Sequence, residues 1–141
     1  MPAEPILDGV ASAIAILLDV PVVLISVIHD KRQVFVGAHG VANDDADDVS
    51  PLSLEVATLN RPVLMQDARR HLVEGACDLR GVALFSYMGL PIAGDGGACL
   101  GAVSAFREHD RTWRGRDLVV LREFAELLGE LLRRPRFARA S

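Results

Sequence analysis

Residues 83–106 read ALFSYMGLPI-AGDGG-ACLGAVSAF, and this stretch decides the fold. Two apolar runs, Ala83 to Ile92 and Ala98 to Phe106, flank Ala93-Gly94-Asp95-Gly96-Gly97. Each run has the length of a strand, and Asp-Gly supplies the positive φ angles that a hairpin turn needs. Because this loop joins strand to strand rather than strand to helix, its glycines make a turn and not a phosphate cradle.

Toward the C-terminus, the spacing predicts a long helix over Asp117 to Leu132. Leu118, Leu121, Ala125, Leu128 and Leu132 recur at helical intervals, and Val120, Phe124, Leu127 and Leu131 form a second stripe beside them. Two stripes exceed what one sheet contact requires, so one is expected to meet a symmetric partner. The expected dimer interface is Leu118, Leu121, Ala125, Leu128 and Leu132. Beyond it, Arg133 to Ser141 holds four arginines and a proline, and residues 134–141 are expected to be a basic tail or linker.

Toward the N-terminus, residues 67–81 are mixed and charged, an irregular segment with a helical turn. Val63 to Gln66 reads as a brief strand and Leu52 to Leu59 as a short helix. Val22 to Ile28 and Gln33 to His39 are strands joined by the polar turn His29-Asp30-Lys31-Arg32. Residues 6–18 carry Leu7, Val10, Ile14 and Leu17 at helical spacing. The twenty residues from Gly9 to Ile28 hold one charge, Asp19, and have the length of a membrane span. Asp19-Val20-Pro21 breaks them into helix and strand, because proline cannot continue the helix and disfavours it for the residue before. The opening Met-Pro-Ala-Glu-Pro lacks the basic region of a secretory signal.

The chain has 141 residues, half of them apolar and 24% charged, with a net charge of −4. That is the make-up of one globular domain, expected over residues 5–133, without the basic field that nucleic-acid binding uses. Two cysteines, Cys77 and Cys99, without a paired C-x-x-C fit a reducing compartment, so the cytoplasm is the expected location. Arginine outnumbers lysine fourteen to one, a bias of GC-rich bacterial genomes. The element order gives an α+β domain on one antiparallel sheet, with the N- and C-terminal helices packed on one face. Residues 41–81, loop-rich, are left to cover the other face, where a cavity is expected.

Several stretches resemble the GAF domain, a ligand-sensing module of signalling proteins. Arg61-Pro62-Val63-Leu64-Met65-Gln66-Asp67-Ala68-Arg69 is similar to the family's G-R-P-L-V-x-D-A-R, Tyr87-Met88-Gly89-Leu90-Pro91-Ile92 to Y-x-G-V-P-L, and Leu100-Gly101-Ala102-Val103-Ser104 to L-G-x-L-C. Trp113, Asp117 and Leu121 resemble the entry to its final helix. The likeness runs over residues 5–132. It implies a GAF-like (profilin-like) antiparallel sheet of five to six strands, a loop-rich ligand pocket on one face, and dimerisation through terminal helices. The chain departs from the family in reaching Arg61-Pro62 early after Pro51-Leu52-Ser53, in Ser104 where cysteine is frequent, and in Arg107 where aspartate is usual.

The expected pocket residues are Ser26, Phe35, Leu54, Cys77, Arg80, Tyr87 and Ser104, polar groups to orient an unidentified small molecule and apolar ones for contact. Ser26 and Ser104 can equally pair only across neighbouring strands. Cys77 lies between Glu74 and Asp78, which oppose thiolate formation, while Arg80 offsets them. Cys99 reads as core. His29, His39, His71 and His109 show no metal-ligand spacing. Asp44-Asp45-Ala46-Asp47-Asp48 lacks the glycine and one ligand of a calcium loop. No nucleophile elbow, P-loop or paired catalytic carboxylate emerges. The sequence therefore points to a non-catalytic, regulatory small-molecule sensor of bacterial signal transduction, a homodimer acting on an output protein or domain. The alternatives are a degenerate domain serving only dimerisation or scaffolding, and a thiol-based redox sensor or reductase.

Overall fold

The computed structural model describes residues 5–42, 46, 51–73, 75–108 and 112–134. Helix α1 spans Pro5–Leu18, strands β1 and β2 span Val22–His29 and Arg32–His39, and helix α2 spans Pro51–Leu59. Strands β3, β4 and β5 cover Val63–Met65, Ser86–Ala93 and Cys99–Arg107, and helix α3 covers Gly115–Leu132. The five strands form one antiparallel sheet in the order β2-β1-β5-β4-β3. Among the described residues no helix is long and apolar enough to cross a membrane.

Local chemistry sets the boundaries. The α1 helix ends where Asp19 turns to φ 54°, with Asp19 N–H donating to Ile16 C=O and Val20 N–H to Ala15 C=O. This crossed pair closes the helix and lets Val20 bury as the chain turns into β1. The β1–β2 hairpin turns on Asp30 and Lys31, both at positive φ, which suits the twist of the paired strands. A bulge follows at Ile25/Ser26, which the sequence did not announce. In the β4–β5 hairpin the expected turn forms, but the positive φ angles fall on Gly96 and Gly97, and Asp95 opens a short 3-10 turn. Strand β4 starts at Ser86 rather than near Ala83. Helix α3 starts at Gly115 rather than Asp117, because the Asp117 carboxylate accepts from Arg114 N–H and caps the first turn.

One face of the sheet packs against α1 and α3. Val23, Ile25, Val36, Met88, Leu90, Ile92, Val103 and Ala105 meet Leu7, Ala11, Ile14 and Leu18 of α1 and Leu121, Ala125, Leu128 and Leu132 of α3. The expected dimer stripe is thereby corrected: Leu121, Ala125, Leu128 and Leu132 are buried inside this chain, and Leu118 packs against the same cluster. The stripe chosen for the partner is the one that faces the sheet.

Arg107, at the end of β5, is buried between the two helices. Its guanidinium donates to the Leu18 carbonyl at the end of α1 (3.1 Å), to the Thr112 carbonyl (3.3 Å) and to Asp117 in the first turn of α3 (3.3 Å), and stacks 4.0 Å from the Trp113 ring. A cation here meets a helix C-terminus and a carboxylate together, and the aspartate usual in the resembling family would meet both with the wrong sign. Replacing Arg107 by methionine keeps the volume but takes the guanidinium from the Leu18 carbonyl and leaves Asp117 with the Arg114 amide alone. The expected cost is about 2–4 kcal/mol, read as a lowered midpoint in urea unfolding.

Candidate functional site

The opposite face is covered by α2 and the segments around it. Leu52, Ser53, Val56 and Ala57 of α2 are buried against the sheet, while Leu54 and Glu55 turn outward. Leu52 and Val56 join Val22, Leu24, Phe35, Val41, Ala46, Ala68, Leu84, Tyr87, Ala102 and Phe106 in a second apolar cluster. This cluster lies on the face where the sequence places a cavity, and it packs the part of that face which the described residues form. Tyr87 and Phe106, both fully buried, meet edge to face with centroids 5.1 Å apart.

Tyr87 organises this face. Residues two apart on a strand share a side, so its ring lies along β4 over Gly89. A Cβ at Gly89 would sit 2.1 Å from the Tyr87 hydroxyl oxygen, so the Tyr87-Met88-Gly89 sequence is a steric requirement. Gly89 pairs with Ser104 across β4–β5, and the Tyr87 hydroxyl therefore arrives 2.7 Å from Ser104 Oγ. Ser104 Oγ is in turn 2.8 Å from Ser53 Oγ on α2. Burial pushes the Tyr87 phenol well above its usual range against the opposing hydrogen bonds from Ser104 and Ser53, so it stays a neutral hydroxyl.

Of the seven expected pocket residues, Ser26, Phe35, Tyr87 and Ser104 share this face. All four are buried. Ser26 spends its hydroxyl on the Ala102 carbonyl across the β1–β5 pair, at 3.4 Å. The other three lie elsewhere. Leu54 is 39% exposed, because α2 turns Leu52 and Ser53 inward in its place. Cys77 forms a bridge to Ala83 in the segment before β4 and does not belong to the buried cluster. Arg80, its side chain 65% exposed, is bound to Asp78 at 2.6 Å and to Glu108 at 2.7 Å. It lines a polar groove of about 670 Å³ at the end of the sheet, shared with Pro21, His39, Gly40 and Leu79. Burial works against ionising Asp78, but Arg80 and the amides of Val82 and Arg80 outweigh it and hold its carboxyl below the ordinary value.

Sequence reading missed Ser53, Leu52 and Phe106. Ser53 carried the best signal, a hydroxyl between two leucines in a short helix. In the Asp67-Ala68-Arg69 segment the two charged side chains pair with each other and Ala68 is buried. Hydrogen bonds from the Arg69 side chain and amide hold the exposed Asp67 carboxyl at about 2, and the Arg69 guanidinium lies 4.2 Å over Phe85. His39 Nδ1 meets Ser12 Oγ at 3.0 Å, and His71 is exposed. His109, the aspartates of the 44–48 run, Glu74 and the tail from residue 135 lie outside the described residues.

Both cysteines are free. Cys77 bridges Ala83 before the start of β4 and Cys99 pairs with Ala93 at its far end, so they stand at opposite ends of the hairpin. Burial pushes the Cys99 thiol up. Among the described residues no group of three or more His, Cys, Asp or Glu side chains could hold a metal ion. If Gly89 is the space that Tyr87 fills, Gly89→Ala destabilises the fold by about 1–3 kcal/mol. Gly89→Ala combined with Tyr87→Leu recovers part of that loss in thermal unfolding, because the clash disappears with the ring.

No protein-family model and no curated protein matches the chain. Solved structures do. The GAF domain of a phosphoenolpyruvate-protein phosphotransferase from Coxiella burnetii superposes with a TM-score of 0.78 at 16% identity, over 96% of this chain and 84% of that one. A domain of a putative two-component sensor histidine kinase from Sinorhizobium meliloti gives 0.71 at 16% identity, over 98% and 97%. A type II free methionine-R-sulfoxide reductase from Thermoplasma acidophilum gives 0.70 at 14% identity, over 89% and 91%. With its five-stranded antiparallel sheet, terminal helices on one face and α2 on the other, the chain has the GAF-like α+β fold.

Proposed function

We propose that the chain is a non-catalytic regulatory domain of bacterial signal transduction, which senses a small molecule on the α2 face of its sheet and passes occupancy to its terminal helices. The observation that carries this reading is the buried hydroxyl group of Tyr87, Ser104 and Ser53 at the seam between α2 and the sheet. Carbon would fill that seam without directional demands. Hydroxyls make it a polar latch whose bonds a small polar ligand can take over, releasing Ser53 and moving α2. Ser104 sits on β5 three residues before Arg107, which holds both terminal helices, so a shift of β5 has a short route to them. Neighbours of this fold in a sensor histidine kinase and a phosphotransferase agree with a regulatory role, by analogy of fold. The fold also carries a methionine sulfoxide reductase, but thiol chemistry here would have to work with two cysteines at opposite ends of a hairpin.

The packing of Tyr87, Phe106, Leu52 and Val56 on the same face favours a second reading, an assembly module with no ligand. Native mass spectrometry and thermal shift against small polar metabolites separate the two. The sensing reading expects a compound that raises the melting temperature by mass action and loses most of that effect in Ser104→Ala. A chain that carries no compound and is stabilised by none is the assembly module.

Association fits either reading, through the outward face of α1 and the second stripe of α3. Asp8, the charged side chain of α1, turns inward to accept from the Ala38 amide at 2.9 Å. Ile6, Ile16 and Leu17 stay outside, Ile16 at 77% exposed, with Leu127 of α3 also exposed and Phe124 and Leu131 partly buried. An all-apolar outer helix face is a contact surface in search of a copy. Sedimentation is expected to find a dimer for the parent chain and a monomer for Ile16→Asp, with the fold of both unchanged by circular dichroism.

A further inference from the structure

The chain contains two Asp-Gly pairs, Asp8-Gly9 and Asp95-Gly96. In such a pair no side chain crowds the glycine nitrogen, so it can reach the carboxyl carbon of the aspartate before it. Attack forms a nitrogen–carbon bond and releases water, made from the amide hydrogen and the carboxyl hydroxyl, and closes a cyclic succinimide. Water then reopens the ring at either carbonyl. Opening at the side-chain carbonyl restores aspartate. Opening at the main-chain carbonyl gives isoaspartate, in which the chain runs through the former side chain and is longer by one methylene.

Folding sets the two pairs apart. Asp8 stands in the first turn of α1, and its carboxylate accepts from the Ala38 amide at 2.9 Å. Gly9 lies a full turn into the same helix, where amides donate to the carbonyl four residues back. Attack at Asp8 therefore requires the carboxylate to leave β2 and the helix to open. Asp95 has neither restraint. Its side chain is 94% exposed and meets Arg133 at 3.5 Å, an exposed pair of little strength. Gly96 is the second residue of the short 3-10 turn Asp95–Gly97, a position whose N–H has no acceptor inside the turn. No atom lies near enough to hinder it, since even a Cβ there would meet nothing within 4 Å. The turn is closed by Gly94 N–H on the Ala98 carbonyl at 2.6 Å and by a longer bond from Ala98 N–H to the Asp95 carbonyl at 3.4 Å.

We propose that Asp95 is a site of spontaneous isomerisation in the folded protein, while the fold protects Asp8. The modification has a structural consequence. It takes the Asp95 main-chain carbonyl, the acceptor of Ala98 N–H, out of the chain as a free carboxylate, and it displaces the negative charge that faces Arg133 at the end of α3. An isomerised copy thus differs from a fresh one in the turn between β4 and β5 and in its contact with α3. The site lies apart from the Tyr87, Ser104 and Ser53 hydroxyls, and it holds for either reading of the α2 face.

The test is incubation of the native chain and of the guanidinium-unfolded chain in heavy-oxygen water, continued until the unfolded chain shows isoaspartate at Asp8. Peptide mapping with electron-based fragmentation then distinguishes isoaspartate from aspartate at equal mass. The tryptic peptide from Gly81 to Arg107 holds Asp95 as its one acidic residue, so heavy oxygen incorporated along its chain reports this site. The native chain is expected to convert Asp95 about tenfold faster than Asp8 or more, because Asp8 reacts only when α1 opens, whereas the unfolded chain converts both at similar rates. Asp95→Glu is expected to abolish the reaction at this position, since the larger ring closes poorly, and Asp95→Asn to accelerate it with release of ammonia. Equal conversion of Asp8 and Asp95 in the native chain overturns the proposal. So does a native chain that forms no isoaspartate at Asp95 over the time that converts the unfolded one.

Discussion

The ring of Tyr87 lying along β4 over Gly89 is the contact on which the rest of the α2 face depends. It occupies the space that a side chain at position 89 would claim, and its hydroxyl lands on the residue that pairs with Gly89 across the hairpin. From there the geometry propagates. Ser104 is fixed between two neighbouring hydroxyls, Ser53 is drawn inward, and the phase of α2 follows, with Leu52 and Val56 on the sheet and Leu54 in solvent. A different residue at 89 would change the tyrosine, the helix phase and the depth of the cluster together, since close-packed interiors have little room to absorb a displaced ring.

The second constraint is on the other side of β5. Alternation along the strand sends Ala102, Ser104 and Phe106 to the α2 face and Val103, Ala105 and Arg107 to the helices. Arg107 is therefore the one charged side chain of this strand that must be buried among helix ends. It is tolerated because everything around it is of opposite polarity: a C-terminal carbonyl of α1, a loop carbonyl, the capping carboxylate of α3 and the face of Trp113. Such a group stabilises little by mere presence but penalises any arrangement of α1 and α3 that leaves it alone.

Local pattern made most of this architecture legible. Apolar runs of strand length with Asp-Gly and Asp-Lys in the turns between them specify the two hairpins, and Asp19-Val20-Pro21 reads correctly as a break. What was not legible depends on the phase of one element against another. The two stripes of α3 are equally apolar, and only the position of the sheet tells which is buried. Leu52 and Leu54 are likewise equivalent until Ser53 is seen to meet Ser104. Arg80 and Cys77 were placed by their nearness in sequence to the central segment, whereas Gly40 captures Leu79 through its carbonyl at 2.8 Å and carries Arg80 to the end of the sheet. Arg107 looked like a departure from a family pattern, because a buried cation is explained only by partners 89 residues before it and 10 after it.

These two constraints meet on one strand, and that bears on how any event on the α2 face could reach the helices. Binding strength alone transmits nothing, because a ligand shifts only an equilibrium between arrangements that it distinguishes. The helical face is a continuous apolar cluster and resists gradual deformation, so a graded push on β5 would be absorbed as a small displacement. The Arg107 cluster is different. Three of its hydrogen bonds, 3.1–3.3 Å long, go to three separate segments, the end of α1, the loop before α3 and the first turn of α3, so a displacement of β5 acts on contacts to both helices at once. A displacement on the α2 face therefore meets α1 and α3 together through one side chain, at the end of α1 and the start of α3.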